Sequence, residues 1–279
     1  MGSIHVVTDS TSDIPTEMAE SLGIQVVPCY VNFGEESYLD QVELSRDEFY
    51  RRLVSSPVHP TTAAPPPGLF AEAYRKVLAK ASGIVSIHPP DRMSALRQSA
   101  LNGWRLLQSD IPFRALDAGQ LSMGLGWVAV RVAQAAAAGA SMTSLEELVA
   151  GLYKRVHLFA ALETVEFLHR SGRVGWARGA IGKLLRVRPL IKLYQGSVNS
   201  EGYVRTRKKA IEGLLNRVEQ LGELATLTIL HTNAPGLAEQ FRQRLAQLPL
   251  PEPALTINAT PILGTHVGPD AVGFVAIQT

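Results

Sequence analysis

The sequence predicts an α/β protein of two domains. Residues 1–152 form an N-terminal domain with a mainly parallel, Rossmann-like sheet and flanking helices. Residues 153–279 form a C-terminal α/β domain with a mixed sheet. Three observations carry this prediction. Short apolar, β-branched runs such as Ile4-His5-Val6-Val7 and Ile84-Val85-Ser86-Ile87 alternate with longer stretches of helical period, the signature of βαβ units. The 279 residues suffice for two domains of ordinary size. After a connecting helix, Leu145 to about Val156, the regular alternation gives way to a hairpin and closely spaced strands.

The elements follow in order. Ile4–Val7 is a buried strand that runs into the polar loop Thr8-Asp9-Ser10-Thr11-Ser12-Asp13. Such a loop, at the carboxyl end of a parallel strand, lies where α/β proteins hold ligands. Asp13 is expected to cap the next helix, with Pro15 in its first turn. Capping needs one polar residue, so Thr8, Asp9, Ser10 and Ser12 are surplus. Ile24–Phe33 reads as one strand, followed by the Gly34-Glu35 turn and Ser37-Tyr38-Leu39. Ser45-Arg46-Asp47-Glu48 is a capping box opening a helix through Leu53. Pro57–Gly68 is a Pro-rich loop. Leu69–Ala81 is helical, with Gly83 as its stop. Ile84–Ile87 is a strand, His88-Pro89-Pro90 leads into a helix through about Leu107, and Phe113–Leu116 is the next strand. A long Ala-rich helix runs from about Met123 to Ala138.

In the second half, Phe159–Leu162 is strand-like and Val165–His169 a short helix before Ser171-Gly172. Trp176–Leu185 has helical period and leads to the strand Pro189–Tyr194 and the hairpin turn Gln195-Gly196-Ser197. Arg205–Leu221 and Leu237–Leu248 are helices around the strand Leu227–His231. Leu255–Ile262 and Gly273–Ile277 are the last strands.

Composition narrows the function classes. Hydrophobic residues make up 46% of the chain, with 23 Gly and 17 Pro, as in a globular protein. No apolar run approaches the roughly 18–20 residues of a membrane helix; the longest, Val128–Ala140, contains Arg131, Gln134 and Gly139. Met1-Gly2-Ser3 leads directly into a strand, without the pattern of a signal peptide. Cys29 is the single cysteine. It leaves no internal disulfide and no Cys-based zinc site, and it suits a cytoplasmic location. It sits in the apolar run Val26-Val27-Pro28-Cys29-Tyr30-Val31, where a buried, inert thiol is expected. The seven histidines show no metal-ligand spacing. Phosphate-loop, nucleophile-elbow and dinucleotide motifs are absent, as are nucleic-acid-reading motifs. Charge is uneven. Lys154–Lys209 carries thirteen Lys/Arg against three acids, Glu163, Glu166 and Glu201, a local +10 within a chain of net +2. Such a stretch fits an anionic partner or a solvated basic face.

Three loops carry hydroxyl, imidazole or free backbone donors. In His59-Pro60-Thr61-Thr62-Ala63-Ala64-Pro65-Pro66-Pro67-Gly68, proline flanks suit a presented hydroxyl or a stiff linker. In His88-Pro89-Pro90-Asp91-Arg92-Met93-Ser94-Ala95-Leu96-Arg97, Ser94 caps the helix or joins its free N–H groups in holding an anion, with Asp91 as a competing cap. Gly264-Thr265-His266-Val267-Gly268-Pro269-Asp270 reads as a glycine-rich loop between two strands that offers backbone N–H groups and one imidazole.

Together these segments resemble the DegV family of bacterial fatty-acid-binding proteins, along the whole chain and in order. Thr8-Asp9-Ser10-Thr11-Ser12-Asp13-Ile14-Pro15 resembles its N-terminal signature, and Ser37-Tyr38-Leu39-Asp40 follows. Leu168-His169-Arg170-Ser171-Gly172-Arg173-Val174 is similar to its Leu-x-x-Gly-Gly-Arg-Ile segment. Arg188-Pro189-Leu190-Ile191 and Val204-Arg205-Thr206-Arg207-Lys208-Lys209-Ala210 resemble its Lys-Pro-Ile stretch and basic helix start. Gly264-Thr265-His266-Val267-Gly268-Pro269 matches the C-terminal signature. The resemblance implies a fatty acid in an apolar ligand tunnel between the domains. Its carboxylate would be held by Thr62, Ser94 and His266, with Gly268 and, peculiar to this chain, Arg97 and Asp270 as candidate supports. The chain would carry no cofactor or metal and would not itself be the catalyst. It would present the acid to a separate fatty acid kinase subunit, and Arg173 and Arg205 would dock that kinase or an anionic membrane surface. The chain departs from the family in three places. Thr62-Ala63-Ala64-Pro65-Pro66 stands for Thr-Ser-Gln-Pro-Ser, Met93-Ser94-Ala95-Leu96-Arg97 for Leu-Ser-Gly-Thr-Tyr, and Asp270 for a glycine. Asp270 adds a negative charge that Arg97 is expected to offset.

Two other readings fit the residue types. One is a hydrolase or acyltransferase using Ser94 or Thr62 with His266 as base. The other is a regulatory protein that senses a small anion and docks a partner through Lys154–Lys209.

Overall fold

The computed structural model describes residues 3–173, 187–248 and 254–279. The expected helix Trp176–Leu185 lies outside these residues. The first part of the chain contains β1 (Ser3–Asp9), α1 (Thr16–Ser21), β2 (Gln25–Val27), β3 (Tyr30–Phe33), β4 (Glu36–Leu39), α2 (Arg46–Ser55) and β5 (Thr61–Ala63). It continues with α3 (Pro67–Leu78), β6 (Ala81–His88), α4 (Leu96–Arg105), β7 (Phe113–Asp117), α5 (Met123–Ala137) and α6 (Met142–Arg155). The remainder contains β8 (Val156–Ala161), α7 (Glu166–Arg170), β9 (Arg188–Tyr194), β10 (Ser197–Val204), α8 (Arg207–Leu221) and β11 (Leu224–His231). It ends with α9 (Pro235–Leu245), β12 (Leu255–Asn258), α10 (Pro261–Val267) and β13 (Val272–Gln278).

The chain divides into two compact units, Met1–Tyr30 with Ala63–Lys154, and Val31–Thr62 with Arg155–Thr279. In the first, four parallel strands run in the order β2-β1-β6-β7. The order reverses between β1 and β6, the point at which such sheets gather polar loops. The strands are buried on both faces, so β6 reads Ile84, Val85, Ile87 without polar alternation apart from Ser86. Helix α5 contributes Met123, Leu125, Val128, Ala129 and Val132 to the core, all fully buried. Its first turn comes close to the N-terminal loop: a Cβ on Gly126 would meet the Ser12 carbonyl oxygen at 2.6 Å.

The second unit holds a mixed six-stranded sheet, β10-β9-β8-β13-β11-β12, in which only β11 and β12 pair in parallel among the described strands. Helices α8 and α9 cover it through Ile211, Leu214, Leu215, Val218, Leu237, Ala238 and Phe241, packed on Phe159, Ile229 and Phe274. The β9–β10 hairpin forms as expected. Gln195 and Gly196 have φ of 48° and 69°, the doubly left-handed pair of a tight hairpin turn. Thr206 caps α8 by accepting from Lys209 N at 3.2 Å. Helix α2 and most of the three-stranded sheet β4-β3-β5 lie in the early segment 31–62 of this unit. Phe49 and Tyr50 of α2 are fully buried, and the Tyr50 hydroxyl donates to the Ala259 carbonyl at 3.0 Å. These long-range contacts draw 31–62 into the C-terminal half.

Several elements differ from their sequence expectation. Ile24–Phe33 is two strands in two sheets. Pro28 has no N–H for a ladder, and the Cys29 N–H donates instead to Ser10 Oγ at 3.1 Å. Cys29 is buried, as expected. Asp13 does not cap α1: Pro15 is the N-cap residue and no side chain bonds there. Asp13 adopts φ 55° and accepts a hydrogen bond from Ser122 Oγ at the start of α5. Gly83 is not a helix stop but lies inside β6, where a Cβ would meet Met142 Cε at 2.9 Å and the Pro112 carbonyl at 3.2 Å. Ser45 accepts from Glu48 N at 3.3 Å, half of the capping box, while the Glu48 carboxylate pairs with Arg51 and Arg52. No described helix is long and apolar enough to cross a membrane.

Candidate functional site

The largest departure concerns the C-terminal signature. Pro261–Val267 is the helix α10, not a loop between strands, and β12 ends at Asn258. Thr260-Pro261 starts it, since proline tolerates the first helical turn, and Gly268 at φ 75° ends it. Gly264 lets the helix approach α2: a Cβ there would meet Phe49 Cε1 at 2.6 Å and the Tyr50 hydroxyl at 2.8 Å. Glycines that suggest a loop in the sequence are therefore packing positions of a helix. Thr265 is buried and donates back to the Pro261 carbonyl at 2.9 Å.

This helix carries His266 toward Thr62. The Thr62 Oγ1 and His266 Nε2 atoms are 3.0 Å apart, joining residues 204 positions distant in the chain. Both belong to the second unit, which takes in Val31–Thr62 as well as Arg155–Thr279. His266 is 5% exposed. Burial, then the positive charge of Arg173, then His59, push its pKa from 6.5 to about 3. The imidazole is therefore neutral at physiological pH, a hydrogen-bonding group rather than a cation. Gly268 sits against the ring of Phe167, and Phe167 against the ring of His59, centroids 5.7 Å apart.

The buried imidazole has a consequence for stability. Unfolded, His266 takes up a proton near its ordinary 6.5; folded, it does so only near 3. Between those values the unfolded chain binds more protons, so stability falls on acidification, by up to about 1.4 kcal/mol per pH unit. Urea midpoints between about pH 6 and about pH 4.5 are expected to fall more steeply for the wild type than for His266→Gln. Parallel profiles would contradict the burial argument.

Ser94 belongs to the first unit. It is half-buried, and its Oγ accepts from Leu96 N at 3.3 Å, while Ala95 is the N-cap residue of α4 and makes no side-chain cap. Asp91 is not a cap either: its carboxylate pairs with Arg97, which lowers the carboxyl's pKa. Arg97 is thus engaged by Asp91. The Asp270 carboxylate is answered from another quarter, by Arg207, whose Nη2 donates to Asp270 Oδ2 at 2.8 Å. Arg207 also reaches Glu163, which receives a two-pronged contact from Arg188. Asp270 adopts φ 62°, a conformation glycine adopts more readily. Of the basic stretch, Arg170, Arg188 and Arg207 face acids. Arg173 is half-buried and acts electrostatically on His266, whereas Arg205 is exposed.

A second polar constellation joins residues that no single segment of the sequence holds together. At the reversal point of the parallel sheet, Asp9 Oδ2 lies 2.7 Å from His88 Nδ1, and His88 Nε2 lies 2.7 Å from Ser86 Oγ. The Tyr74 hydroxyl is 2.9 Å from the same serine, and burial raises its pKa. Thr11 N and Oγ1 both donate to Asp9. The Asp–His–Ser order has the geometry of a hydrolytic triad, yet all four side chains are fully buried. Ser86 has no exposed surface, and the chain of bonds serves as a polar core that satisfies Asp9. It accounts for much of the loop's surplus of polar side chains: Thr8 donates to the Ile87 carbonyl and Ser10 accepts from Cys29. The sequence signal was present in Asp9 and His88, both at strand ends, but their adjacency depends on the β1–β6 pairing. No group of His, Cys, Asp or Glu among the described residues could hold a metal ion.

Comparison with known proteins agrees with this architecture. The family model described as “Uncharacterised protein, DegV family COG1307” matches residues 3–279. A DegV domain-containing protein of Streptomyces coelicolor is 33% identical, over 98% of this chain and 97% of its own. The structure of a DegV family protein from Thermus thermophilus, described for fatty acid binding, is 29% identical with a TM-score of 0.90, covering 99% of this chain and 100% of the other. DegV from Bacillus subtilis, described as a fatty acid binding protein, is 27% identical with a TM-score of 0.86 and covers 100% of both chains. Matched by the family model along almost its entire length and bearing the same α/β architecture, the chain belongs to the DegV family.

Proposed function

We propose that this protein binds a long-chain fatty acid and presents its carboxylate to a separate fatty acid kinase subunit, without itself catalysing the transfer. The observation that carries the reading is the pairing of half-buried Thr62 with buried His266, supported by the fatty acid binding described for the Thermus thermophilus and Bacillus subtilis relatives. A neutral imidazole and a hydroxyl can donate to a carboxylate without the desolvation cost of a buried cation. Ser94 is the third donor in this reading, and Gly268 supports the site by ending the helix that bears His266. Asp270 acts through its ion pair with Arg207, and Arg97 by holding the Ser94 turn through Asp91. Arg205 is the exposed cation for a kinase or an anionic membrane surface.

Energetics assign the parts. Each buried methylene contributes about 0.8 kcal/mol, so the tail supplies most of the affinity. Each hydrogen bond to a charged head adds about 1.5–3 kcal/mol and selects an acid over an alcohol. A hydrolase reading is less well supported, because an imidazole whose pKa is about 3 is a weak base at neutral pH. The test is titration with oleate, followed by acyl phosphate formation with the cognate kinase and ATP. Thr62→Val, Ser94→Ala and His266→Leu are each expected to weaken oleate binding roughly 10-fold or more and to lower acyl phosphate yield. Wild-type behaviour in all three variants would overturn the reading. Ester turnover that requires His266 would replace it with the hydrolase.

A further inference from the structure

A second imidazole stands near His266 in the same unit. His59 lies three residues before Thr62, on the segment entering β5. Its ring rests on Phe167 of α7 at 5.7 Å between centroids, with the planes inclined at 50°. Phe167 also fills the space a Cβ on Gly268 would occupy, its nearest atom 2.2 Å from that position. A continuous contact thus runs from His59 through one aromatic ring to the end of the helix that carries His266. The His59 Nε2 atom is shielded from solvent and has no hydrogen-bond partner. A shielded, unanswered polar atom is costly, and in native proteins it often marks where a missing group belongs.

The charges around it come from two helices and the turn after one of them. Arg170 and Glu166 of α7 act on His59 directly, with opposite sign, and His59 and Arg173 both act on His266 of α10. Burial comes first among the causes that hold the His59 pKa below 6.5, and Arg170 adds to it. In this structure the ring is therefore neutral at physiological pH and offers a single N–H.

We infer that His59 is a further head-group residue, whose Nε2–H donates to the carboxylate that Thr62 and His266 hold. The inference rests on the function proposed above. Its consequence is a proton linkage. An anion beside His59 favours the charged imidazole, so binding draws a proton from solvent and the ligand is held more tightly as pH falls through the pKa of the occupied site.

The experiment measures displacement of cis-parinaric acid by oleate, and by oleyl alcohol as a ligand without charge, from about pH 8 down to about pH 5.5. His59→Phe keeps a ring packed against Phe167 and removes the donor; His59→Gln restores a donor that cannot titrate. The wild type is expected to bind oleate more tightly at the lower pH. His59→Phe is expected to lose roughly 10-fold in oleate affinity and much of the pH dependence, with oleyl alcohol binding unchanged. His59→Gln is expected to regain affinity at the higher pH but not the slope. The inference is overturned if His59→Phe keeps wild-type oleate affinity and slope, or loses oleate and alcohol equally, which would be a packing effect. Failure of the wild type to bind oleate at any pH would overturn the proposed function together with this inference.

Discussion

Replacing His88 by Leu is expected to destabilise the first unit by about 3 kcal/mol, the upper part of the range for leaving a buried polar group without its partner. His88 and Asp9 are both fully buried and 2.7 Å apart. Without the imidazole, the Asp9 carboxylate keeps Thr11 but loses its partner across the sheet, and Ser86 loses one of its two neighbours. The effect should appear as a lower urea midpoint in a signal from the parallel-sheet unit, such as Trp104 fluorescence. Trp104 is stacked on Phe113, ring centroids 4.5 Å apart, within that unit. Asp9→Ala in the His88→Leu background should cost far less than Asp9→Ala alone, since coupled residues are not additive. A loss below about 1 kcal/mol for His88→Leu, typical of an ordinary hydrogen bond, would refute the account of this network.

Gly268→Ala is expected to cost about 2–4 kcal/mol and to impair the proposed fatty-acid binding at the same time. Two causes add. The residue sits at φ 75°, where a side chain is strained, and the new Cβ would lie 2.2 Å from Phe167 Cδ2. The ring has to move, with a packing cost of about 1–3 kcal/mol. Moving Phe167 displaces the surface on which His59 rests and the end of α10 beside His266. Thermal melts and oleate titration check the two effects. Trimming the ring in the double variant Gly268→Ala/Phe167→Leu is expected to recover part of the binding. Full stability and affinity in the single variant would show that the helix end tolerates bulk.

Local signals in the chain read correctly where a local cause decides the structure. Ser45 accepts from the third residue of its helix. Gln195-Gly196 turns the hairpin, and the apolar periods of α5 and β6 place their core residues. The misreadings have a common source. Gly83 and Gly264 look like stops or loop residues, but each is small because something distant packs there: Met142 and Pro112 for one, Phe49 and Tyr50 for the other. Pro28 divides a continuous apolar run because its two halves join different sheets. Asp13 abandons the cap of α1 for Ser122, 109 residues away.

The candidate site shows the same division. The sequence by itself determined the alternating α/β pattern, the donor types Thr62, Ser94 and His266, the basic stretch, and the family signatures in their order. All of these are properties of residue type and near-neighbour spacing. Only the tertiary structure decided that His266 rides a helix, that 31–62 packs with the C-terminal half and so sets Thr62 at 3.0 Å from the imidazole, and that Arg207 rather than Arg97 answers Asp270. It also decided that Asp9, His88 and Ser86 form one buried chain of bonds. The physical reason is that a buried polar group takes whichever partner the packed fold brings within about 3 Å, and that choice belongs to burial and strand pairing across more than a hundred residues.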